Sequence, residues 1–328
     1  MGVIEGWPQT GAINPDVYLK SRSWPKISIV TPSFNQGQFI EETILSILNQ
    51  NYPNLEFIII DGGSTDETLE VIKKYEKRIT YWLSEKDNGQ ANAINKGCKY
   101  STGDIINWIN SDDLLLPMTL FHIAANFDYK KEDFLAGNVL NFRNTFEVFQ
   151  QVKNRCLNLR EILSVNNSKH SYHQPGVWFS NKSFKLITEI NEDLNYSFDW
   201  EFTLRYIYNF PVGKYLDIDL VYFRYHNDSK TVSKYFNFYE ETLKCYELFI
   251  DITKSDKLIQ RQAMKKLISI KWHNQLNCRS KSLDTMQAKM KLVAFIVKEV
   301  LKNRGKATRF TIGLLKNLII QMTLKIGP

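Results

Sequence analysis

Four short apolar runs, separated by segments of helical spacing, constrain this chain more than anything else in it. The runs are Lys26 to Val30, Leu55 to Ile60, Ile79 to Leu83 and Ile105 to Ile109. Between the first two, Phe39 to Leu48 repeats Ile40, Ile44, Leu45, Ile47 and Leu48 at helical spacing, with Glu41 and Glu42 in the first turn. Glu67 to Tyr75 and Gln90 to Cys98 also read as helices. The first of these is opened by Ser64, Thr65 and Asp66, which suit a helix N-terminus. Strands alternating with helices at this spacing predict a parallel sheet wound in βαβ units. Such sheets bind ligands outside the carboxyl ends of their strands. Three of those ends carry polar clusters: Thr31-Pro32-Ser33-Phe34-Asn35, Asp61-Gly62-Gly63-Ser64 and Ser111-Asp112-Asp113. All three are expected on one edge.

The last cluster carries the most chemistry. Two adjacent carboxylates at the end of a buried strand are costly unless a cation binds them. Oxygen-rich sites of this kind suit Mg²⁺ or Mn²⁺ carrying phosphates. Ser and Asp are equally at home in a turn or at a helix start, and the pair alone leaves that alternative open.

With 328 residues, 43% hydrophobic and 23% charged, the chain can fill one large domain or two smaller ones. Cys98, Cys156, Cys245 and Cys278 lie far apart, with neither metal-like nor disulfide-like spacing, so a reducing compartment is expected. The N-terminus shows neither the basic nor the apolar region of a signal peptide. The net charge of +7 belongs to the tail: from Met286 to Pro328, nine Lys and Arg stand against Glu299 alone, leaving the rest of the chain close to neutral.

Beyond residue 134 the pattern changes. Phe134 to Phe149 reads as strands around a turn at Asn141–Thr145, and Val177 to Ser180 as another strand. Leu194 to Tyr208 mixes acidic and aromatic residues and ends in a helix. Val221 to Tyr225 is a strand leading into His226-Asn227-Asp228-Ser229-Lys230-Thr231, and from about residue 235 the chain is mainly helical.

The ordered set Val30-Thr31-Pro32-Ser33-Phe34-Asn35, Ile60-Asp61-Gly62-Gly63-Ser64-Thr65-Asp66, Asn92-Ala93-Ile94-Asn95-Lys96-Gly97, Thr102-Gly103-Asp104 and Asn110-Ser111-Asp112-Asp113 resembles the family 2 glycosyltransferases. These are nucleotide-sugar-dependent enzymes of the GT-A fold. The resemblance is clear from about Lys26 to Pro117 and looser to about Thr231. It implies an α/β fold: a Rossmann-like, mostly parallel sheet flanked by helices, with a helical C-terminal extension. The implied organisation is a lead-in over residues 1–25, a GT-A domain over 26–234 and a basic helical extension over 235–328. Within the domain, 26–117 forms the nucleotide-binding half and 118–234 the acceptor-binding half.

The implied reaction is inverting, metal-dependent transfer of a sugar from a nucleotide diphosphate sugar, in the first instance UDP-linked, to a hydroxyl of a glycan. By resemblance, Pro32, Ser33, Phe34 and Asn35 pack on the nucleotide base, where Phe34 offers a flat apolar face. Asp61 contacts the nucleotide too. The family's second acid in that loop is absent, since Gly62 stands there, and this leaves the base open. Ile94 replaces an Arg that often faces the diphosphate. Gln90, Asn92 and Asn95 could give neutral hydrogen bonds in its place, and the load falls on the metal, Mn²⁺ or Mg²⁺. Asp113 is the implied metal ligand, and Asp112 contacts the ribose or a metal-bound water. His226 completes the metal shell, or closes over the diphosphate with Arg224 and Lys230. Transfer needs a base for the acceptor hydroxyl. In Tyr196-Ser197-Phe198-Asp199-Trp200-Glu201 that is Asp199, with Glu201 second, while His173 and Gln174 line the acceptor side.

The tail combines apolar runs, Leu292 to Val297 and Phe310 to Ile326, with interspersed Lys and Arg, and neither run has spanning length. Basic amphipathic helices suggest attachment to an anionic membrane surface, at the inner face of the cell membrane and near a lipid-linked glycan acceptor for surface polysaccharide. The alternative is a helical pair docked on the core or on a second subunit, as in a homodimer. Nucleic acid is not expected as a partner. Two other readings of the whole are a degenerate sugar-nucleotide-binding scaffold and a sugar nucleotidyltransferase. The latter normally wants a basic, Gly-rich first loop that Pro32 to Gly37 does not supply.

Overall fold

A computed structural model of the chain describes residues 7–18, 23–143, 147–165, 172–187, 189–226, 229–230, 235–281, 286–302 and 309–323. Asn227, Asp228 and Thr231 of the expected late loop lie outside the described residues, as do residues 144–145 of the expected turn and Arg304, Lys306 and Lys325 of the basic tail.

The first half folds as the alternation dictates. β1 (Ile27–Ser33), β2 (Leu55–Asp61), β3 (Tyr81–Ser84) and β4 (Ile105–Trp108) are joined by α1 (Ile40–Leu48), α2 (Thr68–Tyr75) and α3 (Gln90–Tyr100). The strands pair in parallel in the order β3-β2-β1-β4. Their register sets Ser33 beside Asp61 and Asp61 beside Ser84, so three strand ends share one edge. Every β1 residue is buried, as a strand covered on both faces requires. Ile29, Ile44, Ile47, Phe57, Ile59 and Ile72 join the core. Gly97 lets α3 lie close on the sheet: a Cβ there would stand 2.4 Å from Val30 Cγ1. The described part of the lead-in is irregular, apart from a short 3₁₀ turn at Pro15–Val17, and buries Trp7, Ile13, Tyr18 and Trp24 in the same core.

The chain then adds β5 (Leu114–Leu115), α4 (Thr119–Asn126), β6 (Phe134–Phe142), β7 (Val148–Lys153), α5 (Leu159–Ile162), β8 (Val177–Ser180), α6 (Asn181–Leu186), α7 (Phe198–Asn209) and β9 (Gly213–Arg224). Beyond β4 the sheet continues β8-β6-β9-β5, with β7 also on β6. It becomes mixed there: β8 is antiparallel to both β4 and β6, whereas β6 and β9 are parallel. β9 starts well before the expected Val221, and β5, α4 and α6 were not expected. Trp108, Phe179, Phe202 and Tyr206 pack ring on ring, with Trp108 to Phe202 centroids 5.8 Å apart and Phe179 to Tyr206 centroids 4.7 Å apart. This aromatic layer fixes α7 against β4 and β8.

The chain divides into two compact units, Met1–Leu159 with Ser171–Cys245, and Arg160–His170 with Tyr246–Pro328. The division falls inside α8 (Tyr235–Ile252), later than the boundary expected at residue 235. In the second unit, α9 (Lys257–Lys281), α10 (Met286–Lys302) and α11 (Arg309–Thr323) bury Leu276, Leu292, Ile296 and Leu318 together, beside Trp272 and Phe295.

Candidate active site

A cleft of about 660 Å³ opens at the carboxyl edge of the parallel strands. One group of lining residues comes from the loops after β1 to β4: Pro32, Ser33, Phe34 and Gln36, then Gly62, then Lys86 and Asp87, then Asn110, Ser111 and Asp112, with Gln90 at the start of α3. A second group comes from later segments: Tyr172, His173 and Gln174 before β8, Tyr196, Phe198 and Asp199 at the start of α7, and His226 and Lys230 after β9. Hydrogen bonds join the two groups across the cleft. His226 Nε2 stands 3.0 Å from Asp112 Oδ2, and Lys230 Nζ donates to Gln90 Oε1 at 3.2 Å and to the Asn195 carbonyl at 3.0 Å. Phe34 is exposed at the lip, 58% open to solvent. Among the described residues, the buried atoms Ser33 Oγ, Gln36 Oε1 and His226 Nδ1 have no hydrogen-bond partner. Buried polar atoms without partners are uncommon and point to a missing ligand or water.

Of the residues expected at the site, Asn92 lies outside the cleft lining and donates to Glu192 Oε2 at 2.9 Å, and five more do not line the cleft, each for a visible reason. Asp61 is fully buried and accepts from Gly63 N, Ser64 N and Ser84 Oγ at 2.7–3.0 Å, and from Ser64 Oγ, so its carboxylate shapes the loop. Asn35 ties that loop to its own: its Oδ1 accepts from Thr65 N at 2.9 Å, and its N donates to Ser64 Oγ at 2.7 Å. Asn95 faces the interior, where Ile190 N donates to its Oδ1 and its Nδ2 donates to Ile190 O and Glu192 Oε1. Glu201 is buried in a two-point ion pair with Arg205, one helical turn along α7.

Asp113 is the fifth. Its carboxyl is 1% exposed; Oδ1 accepts from Arg224 N at 3.1 Å and Oδ2 from Asn110 Nδ2 at 3.2 Å. Burial, and then the negative charge of Asp112, push it well above the ordinary carboxylate range. Asp112 is the carboxylate that faces the cleft. Arg224 likewise works in the wall: Nε donates to Asp112 O at 2.9 Å, Nη2 pairs with Glu42, and the guanidinium lies between the Phe39 and Phe142 rings.

Asp112 Oδ2 and His226 Nε2, hydrogen-bonded at 3.0 Å in the cleft, are the side-chain atoms that would hold a divalent cation there. Among the described residues no third His, Cys, Asp or Glu joins them. Ions of this class take their remaining ligands from water and phosphate oxygens.

Around Asp199 the lining turns aromatic. Its Oδ1 accepts from Trp200 N at 2.8 Å. Burial among its neighbours, with Glu241 adding negative charge, raises its carboxyl to about 6 despite Trp200 N and Lys230. The raised value lies near the working range of a general base. Burial lowers His173 to about 4, which keeps it neutral, with its ring edge-on to Phe223. Gln174 donates to Asn107 Oδ1 at 2.7 Å while lining the cleft. Glu241, from α8, accepts from Asn195 N, Tyr196 N and Ser197 N at 2.6–3.1 Å and so holds the turn that presents Asp199.

Asp87, Tyr172 and Glu241 are among the residues at the cleft and its support that the sequence does not single out. Asp87 had a readable signal. Ser84-Glu85-Lys86-Asp87 is the polar cluster that ends the third strand, on the same edge as the other three.

Residues 28–188 match the model of glycosyl transferase family 2. Glycosyltransferase GlyG of Streptococcus pneumoniae is 29% identical over 199 residues, 56% of this chain and 64% of that protein. A glycosyltransferase of Haemophilus influenzae is 39% identical over 94 residues, 28% of this chain and 38% of that protein. The chain therefore spans less than two-thirds of the length of these two relatives. Among solved structures, S. aureus TarS 1–349 in complex with UDP-GlcNAc has a TM-score of 0.62 at 20% identity, over 82% of this chain and 80% of that one. A mannosyltransferase from Pyrobaculum calidifontis, in complex with GDP-Man and Mn²⁺, has a TM-score of 0.53 at 14% identity, over 95% and 93%. The fold is thus that of the GT-A glycosyltransferases.

Proposed function

Since this chain is a member of the family 2 glycosyltransferases, we propose that its cleft transfers a sugar from a nucleoside diphosphate to a glycan hydroxyl with inversion. The observation that carries this reading is the convergence, in one cleft, of a cation-compatible Asp112–His226 pair and a base-poised Asp199. The nucleotide enters against Pro32 and Phe34. A divalent cation, Mn²⁺ or Mg²⁺, held by Asp112 and His226, would neutralise the diphosphate, and Lys230 adds a fixed positive charge nearby. Asp199 takes the proton of the acceptor hydroxyl as its oxygen bonds to the anomeric carbon. The bond from that carbon to the phosphate oxygen breaks, and the electron pair leaves with the nucleoside diphosphate. Tyr172, Tyr196 and Phe198 offer the apolar faces on which sugar rings pack. Solved neighbours of this fold bind UDP-GlcNAc and GDP-Man, which supports a nucleotide-sugar donor. The test is Mn²⁺-dependent release of nucleoside diphosphate from a panel of sugar nucleotides; a chain that released none would not be a transferase.

The acceptor in this proposal is lipid-linked. No helix among the described residues is long and apolar enough to cross a membrane. Met290, Val297 and Ile312 are exposed on the last two helices, in company with the exposed Lys291, Lys298 and Lys316. Apolar and basic side chains exposed together suit an anionic lipid surface, at about 1 kcal/mol per cation. Inverting those lysines to Glu should cut sedimentation with phosphatidylglycerol vesicles about a hundredfold or more. Unchanged partitioning would remove the membrane from the proposal.

A further inference from the structure

The loop after β2 and the loop after β3 abut at the end of the cleft where Pro32 and Phe34 stand. Gly62 N donates to Ser33 O at 2.8 Å, which seats Gly62 against the first loop. A Cβ built on Gly62 would lie 2.8 Å from Asp87 Oδ2 and 3.0 Å from Asp87 Cγ. One residue on, a Cβ at Gly63 would meet Lys86 N at 3.4 Å. The carboxylate of Asp87 therefore fills the space that a side chain at position 62 would take, and both residues line the cleft. Asp87 Oδ1 accepts from Gly89 N at 2.8 Å. Oδ2 is the oxygen turned to Gly62.

We infer that Asp87 reads the nucleobase, accepting a hydrogen bond from an imide N–H on Oδ2 and so selecting uracil or guanine over adenine and cytosine. This inference rests on the nucleotide-sugar reading of the cleft. A carboxylate is an acceptor only. Beside the flat apolar faces of Pro32 and Phe34, it meets the edge of a base that stacks there. Uracil presents N3–H and guanine N1–H on that edge. Adenine and cytosine present a ring nitrogen with a lone pair at the same place, which repels a carboxylate. The glycine at position 62 suits this arrangement, since it leaves the space that the Asp87 carboxylate fills from the neighbouring loop.

The experiment is calorimetric titration of the full chain with UDP, GDP, ADP and CDP in Mn²⁺. The wild type should prefer UDP or GDP to ADP and CDP by about tenfold or more, the scale of a hydrogen bond to a charged group; UDP against GDP then decides which imide base is used. Asp87→Asn can still accept from Gly89 N, so the turn into α3 survives while the second acceptor is lost. It should erase the preference without a loss of melting temperature. Gly62→Asp alone should weaken UDP and GDP binding, because its carboxylate meets that of Asp87. Combined with Asp87→Ala, it should bind them better than Asp87→Ala does. An unchanged preference in both Asp87→Asn and Asp87→Ala would overturn the inference alone. No binding of any of the four by the wild type would overturn the nucleotide reading and this inference with it.

Discussion

The two groups of residues that line the cleft are each organised by a carboxylate that does not touch it, and they differ in how far that carboxylate reaches. In the loops after the parallel strands it is Asp61, whose backbone donors lie two and three residues ahead of it. In the later group it is Glu241, which reaches from α8 to three amides in the turn at residues 195–197. The first arrangement is buried and lies within one βαβ unit, closed by Ser84 Oγ on the next strand. The second exists only after α8 has packed. One half of the lining is therefore built in as each βαβ unit forms, and the other half depends on the completed fold. The division should also be chemical. The local half would hold the nucleotide and share the cation with His226 of the assembled half, which would perform the proton transfer.

The largest effect that would test this division is on turnover. Asp199→Asn should lower kcat by about 10³-fold, the middle of the range for loss of a general base, while UDP affinity in Mn²⁺ stays within about twofold of wild type. A matching loss of affinity would mean that Asp199 belongs to the nucleotide side and that the division is wrong. The same residue sets the acid limb of the pH profile. The base works only when ionised, and burial has raised its carboxyl to about 6. Transfer should therefore be full above that value and fall about tenfold per pH unit below it. Asp199→Asn should abolish the limb. A limb near pH 4 in the wild type would show an unperturbed acid in control.

A smaller effect separates the adjacent acids. Asp112→Asn should weaken Mn²⁺-dependent UDP binding about 10- to 100-fold, at least what losing a metal's supporting partner costs. Asp113→Asn keeps an acceptor for Arg224 N but sets a donor against Asn110 Nδ2. It should lower the melting temperature by about 2–4 °C and leave the Mn²⁺ response in place. If the two variants behaved the other way round, the cation would belong to Asp113.

Much of the nucleotide half was legible in the sequence, because its signals are short-range. Apolar runs gave β1 to β4, their ends gave the sheet edge, and Phe34, Gln90 and Asp112 followed from position at that edge. What could not be read was direction. Asp112 and Asp113 are one residue apart, and only the contact with β9 decides that Asp113 turns inward to Arg224 N. Nor does a linear string reveal that Ser84, on the next strand, completes the ring of donors around Asp61. Asp87 was missed through omission rather than ambiguity. In the assembled half, Asp199 was found from its acidic-aromatic segment, whereas the first part of β9 was hidden by Lys214, Asp217 and Asp219, which stay partly or fully exposed along a strand that the sheet leaves half covered. Glu241 had no local signal at all. Its importance lies in three amides more than forty residues earlier.

That makes Glu241 the sharpest and smallest test. Replacing it by Gln keeps the length and one acceptor oxygen but removes the charge and turns the other oxygen into a donor facing Asn195 N, Tyr196 N or Ser197 N. A hydrogen bond to a charged acceptor contributes about 1.5–3 kcal/mol. Some of that loss is recovered by the remaining amide oxygen, so the turn loosens rather than collapses. The expected result is a fall in kcat of about three- to tenfold, with UDP affinity unchanged. The acid limb should also shift downward, because Glu241 is one of the charges that raise Asp199. A merely structural Glu241 would lower stability and leave the position of that limb alone. Asp61→Asn is the mirror experiment and should move UDP affinity with kcat retained. If both variants changed the same parameter, the two halves of the lining would have to be treated as one unit, with Asp61 and Glu241 as two supports of the same cleft.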